Sequence, residues 1–214
     1  AYRESLEICQ RLRQTLGDTP QVLRDLSFSL NDVGDAELAS GRLDAALAAY
    51  RESLEIRQRL RQRLGDTPQV LRDLSFSLDK MGDAERGGGR LNAALVAYSE
   101  SLEMRQRLRQ KLGDTPHVLR DLSVSLDKIG DVEHDSGRLD AAVAAYSKSL
   151  EIRQRLGQTL GDRPQVLHDL LVSLRKMGNT EQARGRLDVA RAAYHESQVV
   201  QQLLHQTLEA TRRR

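Results

Sequence analysis

The residues that could carry chemistry are scattered along this sequence, and their spacing argues against catalysis. Neither a His-x3-His nor a Cys-x2-Cys spacing occurs, so no metal site can be drawn. Ser27 and Ser29 recur without a histidine that could activate them. A phosphate-binding loop follows a strand, whereas the GDTP turns do not follow a predicted strand. The histidines are His117, His134, His168, His195 and His205. We therefore expect no catalytic residue, no cofactor and no metal, and predict that the segment is not an enzyme.

Charged and aromatic side chains recur instead along one stripe of a predicted helix. The first long helix has an apolar face that includes Leu23, Leu26 and Leu30, and at about 100° per residue the opposite stripe carries polar and aromatic residues. The same stripe returns in three later helices. We call these four rows the predicted groove residues: Arg24, Phe28, Asn31, Asp35 and Leu38; Arg72, Phe76, Asp79, Asp83 and Arg86; Arg120, Val124, Asp127, Asp131 and His134; His168, Val172, Arg175, Asn179 and Gln182.

The composition of this stripe favours binding of a protein or peptide partner. Phe28 and Phe76 are the only phenylalanines in the chain, and a large aromatic opposite a core face suits contact with a partner. The alternative is that both pack against neighbouring helices. The arginine and aspartate rows suit an extended or helical peptide carrying both charge signs. Their alternative role is to solvate the face and pair with each other.

An internal repeat determines how these stripes are arranged. The five tyrosines fall at one spacing of 48 residues: Tyr2, Tyr50, Tyr98, Tyr146 and Tyr194. A fixed period of this kind indicates a stacked array rather than one globular core. We assign a partial second helix to residues 1–16, repeats to 17–64, 65–112, 113–160 and 161–208, and a C-terminal tail to 209–214.

Each repeat contains its own start and stop signals. GDTP or GDRP supplies a glycine for the preceding helix end, an oxygen for the next N-cap, and a proline at the first helical position. The first helix of a pair therefore begins at Pro20, Pro68, Pro116 or Pro164. Glycines such as Gly41 end it about 20 residues later, and a second helix follows.

Composition narrows the function classes further. The formal net charge is +2, so no broad attraction to nucleic acid or an anionic membrane is expected. No apolar run approaches the ~20 residues that span a bilayer. Cys9 is the single cysteine, which favours a reducing compartment, and we predict a cytoplasmic location. The chain begins in mid-repeat without Met, as a fragment would, which leaves an upstream targeting segment open.

The residues at repeated positions resemble the tetratricopeptide repeat. Its characteristic positions are filled by Leu30, Val33, Gly34, Gly41, Ala46, Tyr50 and Ser53, and again by Leu78, Met81, Gly82, Gly89, Ala94, Tyr98 and Ser101. The resemblance implies an all-α, right-handed superhelical solenoid of antiparallel helix pairs. It also implies a concave groove lined by the first helix of each pair, and a scaffold that binds protein or peptide.

Two departures from that family carry further expectations. The unit here is 48 residues rather than about 34, and about seven extra residues per helix preserve the inward face. Glu37, Glu85, Glu133 and Glu181 stand where the family often has an aromatic. We predict that they pair with Arg42, Arg90, Arg138 and Arg186.

Two other roles remain open from the sequence. The arginine-rich RQRLRQRL segment is compatible with a helical repeat that reads RNA, although few aromatics are available for stacking. The array could also be a structural spacer or self-association element. Its end face, with Leu6, Ile8 and Leu12, would then stack end to end between molecules.

Overall fold

The structure is a computed structural model that describes residues 2–212. Within those residues it contains nine α-helices and no strand, so the fold is all-α as expected. The helices are α1 (Tyr2–Leu16), α2 (Pro20–Ala39), α3 (Leu43–Leu64), α4 (Pro68–Gly87), α5 (Leu91–Leu112), α6 (Pro116–Asp135), α7 (Leu139–Leu160), α8 (Pro164–Ala183) and α9 (Leu187–Arg212). We call α2, α4, α6 and α8 the A helices, and α3, α5, α7 and α9 the B helices.

The helices form two compact units. The first unit, Ala1–Leu112, contains α1 to α5, and the second, Gly113–Arg214, contains α6 to α9. Inside each unit every helix packs on the next one in the chain. Because only three residues separate consecutive helices, neighbours must run antiparallel. Each unit is therefore a stack of helix pairs, and the assignment of four 48-residue repeats stays a prediction.

The predicted start signals work as N-caps. The hydroxyl oxygens of Thr19, Thr67 and Thr115 accept from the backbone N–H three residues on, at 3.3, 3.3 and 3.5 Å. Helix α8 is the exception, because Arg163 stands at its N-cap and makes no such bond. The glycine before each A helix has a φ of 70 to 72°, the left-handed region that closes a helix at little cost for glycine.

A glycine–tyrosine contact joins the A and B helices of each pair. Tyr50 and Tyr98 are 0% and 1% exposed. An added Cβ at Gly34 would lie 2.4 Å from the Tyr50 ring. The same close approach joins Gly82, Gly130 and Gly178 to the tyrosines 16 residues later. Only glycine lets the backbone come this near to an aromatic ring.

The predicted glutamate–arginine pairs are confirmed at the turn between the helices. Glu37 accepts from the Nε of Arg42, and Arg90 Nε lies 3.3 Å from Glu85 Oε2. Arg138 pairs with Glu133 in the same way. In the last pair the shorter contact comes from Arg184, whose Nη1 lies 2.8 Å from Glu181 Oε1. The Nε of the predicted partner Arg186 lies 4.0 Å from Glu181 Oε2.

The last helix extends beyond the expected boundary. Helix α9 continues to Arg212, so residues 209–212 of the predicted tail are helical, and residues 213–214 lie outside the described part of the chain. Within residues 2–212, none of the helices combines the length and the apolar character needed to cross a bilayer.

Candidate partner-binding surface on the A helices

The structure corrects one position of the predicted groove in the first three repeats. Asn31, Asp79 and Asp127 are 1%, 8% and 5% exposed and cannot line an open surface. Asp79 pairs with Arg105 of α5 and Asp127 with Arg153 of α7, both at 2.6 Å. Asn31 instead donates to Ser77 of α4 at 3.2 Å. The position lies eight residues after a core leucine, only about 80° around the helix, and it therefore belongs to the buried side of the A helix.

Residues of the arginine and aspartate rows form hydrogen bonds between consecutive A helices of the same unit. This agrees with the alternative role stated above, in which the charged side chains pair within the stack. Arg24 Nε donates to Asp73 of α4 at 2.7 Å. Asp35 accepts from Tyr50 at 2.6 Å and from Lys80 of α4 at 2.7 Å. In the second unit the equivalent bonds join Arg120 to Asp169, and Tyr146 and Lys176 to Asp131, each at 2.7 Å. These side chains mainly stabilise the stack. A partner could contact only those of their atoms that remain exposed in the ion pairs and hydrogen bonds.

Tyrosine hydroxyls were not anticipated as partners of the acidic row. Tyr98 donates to Asp83 at 2.6 Å, and Tyr194 to Asn179 at 2.8 Å. Burial and the bond to the carboxylate raise the pKa of Tyr50 and Tyr98 far above its ordinary value. The constant 15-residue step from acid to tyrosine was visible in the sequence and was the signal for these bonds.

The two phenylalanines form the most distinctive part of this surface. Their rings lie 6.4 Å apart; Phe28 is half-buried and Phe76 is 43% exposed. Arg24 lies 5.2 Å from the centroid of the Phe28 ring, and Lys80 Nζ lies 5.5 Å from that of Phe76. We call these four residues the aromatic patch. Packing within the protein thus explains part of the burial of Phe28, whereas Phe76 stays partly exposed to solvent.

The aromatic patch has no counterpart in the second unit. Val124 and Val172 take the phenylalanine positions there and are half-buried. The remaining predicted groove residues differ in exposure. Leu38 packs partly buried against the core around Tyr50, and Arg86 and His134 are half-buried; Arg72, Asp83, Arg120, His168, Arg175, Asn179 and Gln182 are exposed.

Sequence reasoning missed a buried arginine position on the B helices. Arg57 and Arg153 are 1% and 4% exposed, and Arg105 of α5 occupies the same register. In the last pair Gln201 replaces the arginine and Arg175 replaces the acid, and Arg175 Nη2 donates to Gln201 Oε1 at 2.9 Å. The break that Arg57 makes in the apolar stripe of α3 was the signal for this position.

Several arginines of the arginine-rich helix ends already carry ion pairs. Arg61 binds Asp66 at 2.6 Å, and Arg107 reaches both Asp66 and Glu103, at 2.9 and 2.6 Å. Arg13 binds Asp18 at 2.6 Å. A track of free cations for a nucleic-acid backbone is therefore not supported by these contacts.

The rest of the described surface offers little for chemistry. Residues 2–212 contain no group of three or more His, Cys, Asp or Glu side chains placed to hold a metal ion. In the second unit a cleft of about 200 Å³ lies between α6, α7 and α8, lined mainly by apolar atoms of Leu156, Leu160 and Val166. No nucleophile with an adjacent base lines this cleft.

Helices that pack in consecutive antiparallel pairs define a helical-repeat fold. Two family profiles described as tetratricopeptide repeat match the chain, one over residues 121–196 and one over residues 29–62. Together they cover about half of the sequence. The chain belongs to the tetratricopeptide repeat family, which supports a general role in protein interaction.

Solved structures of low sequence identity share the fold. The TPR-like repeats of a putative kinesin light chain from Podosopora anserina match with 16% identity over 93% of this chain and 94% of that chain, at a TM-score of 0.62. BtubC (BKLC) from P. vanneervenii matches with 16% identity over 95% and 89%, at 0.55. A de novo designed helical repeat protein matches with 16% identity over 89% and 100%, at 0.52. A search of curated proteins finds no significant match.

Proposed function

We propose that the chain is a non-catalytic scaffold that binds a peptide segment of a partner protein on the A-helix surface of its first unit. The single observation that carries the proposal is the exposure of Phe76 beside Phe28. Phe76 is 43% exposed on the side of α4 opposite its core leucines, so a large part of the ring is free to contact a partner. Aromatic side chains of this kind are common anchors in protein interfaces. A cytoplasmic site of action, inferred from the single cysteine, is part of the same proposal.

The charges around the rings support a peptide of mixed charge. Arg24 and Lys80, the two cations of the aromatic patch, have side chains that are 33% and 28% exposed. Asp73 is buried, but the side chain of Asp35 is 43% exposed beside Lys80, so a ligand meets both signs at short range. An extended or helical peptide with an apolar residue between charged ones would match this pattern.

The test compares peptide binding by three proteins. An unselected peptide library is screened against the wild-type chain, and the bound peptides are then titrated against Phe76→Ala and Val96→Ala. Val96 is an exposed apolar residue of α5 and serves as the matched control on a B helix. We expect Phe76→Ala to weaken binding by about tenfold or more, the usual effect of truncating an interface anchor, and Val96→Ala to leave it unchanged. Equal affinity for wild type and Phe76→Ala would refute the proposed site.

Self-association is a second candidate, favoured by the exposed side of α1. Ile8 and Leu12 are 53% and 41% exposed, whereas Ile56 and Leu60, 48 residues later, are 5% and 4% exposed. Leu6 does not belong to this face, because it packs partly buried against the core beside Leu23. We expect light scattering to show concentration-dependent assembly that Ile8→Glu abolishes. A strictly monomeric wild-type chain at high concentration would eliminate this role.

A further inference from the structure

The guanidinium of Arg57 is a buried cation without a carboxylate partner. Its Nε donates to Ser27 Oγ at 3.0 Å and its Nη1 to the backbone oxygen of Asp73. Its Nη2 is buried and has no hydrogen-bond partner. The nearby Asp73 carboxylate is already bound by Arg24 and Gln69. A buried charge is costly unless it is paired and fully hydrogen-bonded.

The neighbouring repeats show which group is missing. Arg105 and Arg153 occupy the same register as Arg57, and each pairs with an aspartate of its own A helix at 2.6 Å. In the first repeat that aspartate is replaced by Asn31, whose amide donates to Ser77 Oγ at 3.2 Å. The first repeat therefore retains the cation and lacks one negative charge.

Aromatic rings occupy the space beside this cation. Arg57 Cζ lies 4.5 Å from the centroid of the Phe28 ring and 5.8 Å from that of Phe76. Cation–π attraction offsets part of the buried charge, but a ring face does not replace a carboxylate as a hydrogen-bond acceptor. The unpartnered cation and the exposed ring of Phe76 thus belong to one location on the first unit.

We propose that Arg57 is the anchor for an acidic side chain of the bound peptide, which supplies the carboxylate that Asn31 does not. Because Arg57 is 1% exposed, the half-buried ring of Phe28, which covers it at 4.5 Å, must move aside to admit that carboxylate. This inference rests on the proposed function and specifies its ligand: an Asp or Glu adjoining an apolar residue that packs on Phe76. One negative charge is what the site lacks. A doubly charged phosphate would need a second cation, and the nearby Arg24 and Lys80 are already paired with Asp73 and Asp35.

The chain itself provides the variant that tests this. Asn31→Asp places in the first repeat the residue found at Asp79 and Asp127, so the fold should tolerate it. We expect this internal carboxylate to occupy Arg57 and to weaken binding of acidic peptides by about tenfold or more. In wild type, changing the peptide's Glu to Gln should cause a similar loss, and in Asn31→Asp it should cause almost none. Arg57→Gln, which copies Gln201, should give the same result as Asn31→Asp.

A measurement without peptide separates this inference from the proposed function. The melting temperature of wild type should rise more in sodium acetate than in sodium chloride of equal ionic strength, and Asn31→Asp should lose that difference. An acetate effect confined to wild type, with no peptide bound, would remove the proposed function and retain the anion site. Peptides that bind wild type and Asn31→Asp equally, or that ignore the Glu-to-Gln change, would overturn the role of Arg57.

Discussion

Replacing Gly34 by alanine tests the closest contact between the A and B helices. The new Cβ would lie 2.4 Å from Tyr50 Cε1, where ordinary contacts begin near 3.4 Å, so the ring would have to retreat by about 1 Å. It has little freedom to do so, because Tyr50 is 0% exposed and its hydroxyl is bound to Asp35 at 2.6 Å. Overpacking of this kind costs about 3 kcal/mol, and the better helix propensity of alanine returns about 1 kcal/mol.

We therefore expect Gly34→Ala to lower the free energy of unfolding by about 2 kcal/mol. With a urea slope near 2 kcal/mol per molar, the midpoint followed by circular dichroism should fall by about 1 M. Gly87→Ala is the control, because its Cβ meets nothing within 4 Å and the same exchange should be neutral or slightly stabilising. A midpoint for Gly34→Ala at or above that of wild type would refute the packing argument.

Two further predictions concern the caps and the ion pairs. Arg163→Thr should restore at α8 the cap that Thr115 provides to α6 and should raise the free energy of unfolding by about 1 kcal/mol in a urea titration. Hydrogen bonds from Arg42 and Arg3 hold the pKa of Glu37 below its ordinary value of 4.5, so this stabilisation is present above that pH and is lost as the pH falls through the folded value. Melting of wild type and Glu37→Gln should therefore differ most near neutrality and converge once the pH falls below the folded pKa of Glu37, and a pH-independent difference would contradict the pairing.

Local signals in the sequence were sufficient for most of the fold. The proline at the start of each A helix, the threonine N-cap of α2, α4 and α6, and the glycine between consecutive helices act through neighbouring backbone groups and need no tertiary contact. The pairing of Glu37 with Arg42 was also predictable, because a turn of fixed length separates the two residues. These features depend on short chain distances, which the sequence displays directly.

The surface was harder to predict because an A helix has more than one neighbour. A helical wheel drawn for α2 assigns one buried face and treats the rest as free. The structure places Asn31 against α4, and Arg24 and Asp35 in bonds to α4 as well. Angular position on one helix cannot reveal contacts made by the next helix, so the free surface is narrower than the predicted groove.

Substitutions between repeats distinguish internal pairing from binding. At the register of Asn31 and Arg57, the last repeat changes both partners together, since Arg175 and Gln201 replace the acid and the arginine and form a hydrogen bond of 2.9 Å on the exposed surface. The first repeat changes only one partner: Asn31 replaces the aspartate and Arg57 stays. A stack that needs only internal compensation should change both residues, as the last repeat does. The uncompensated cation lies beside the two phenylalanine rings, and this coincidence favours an external carboxylate as its partner.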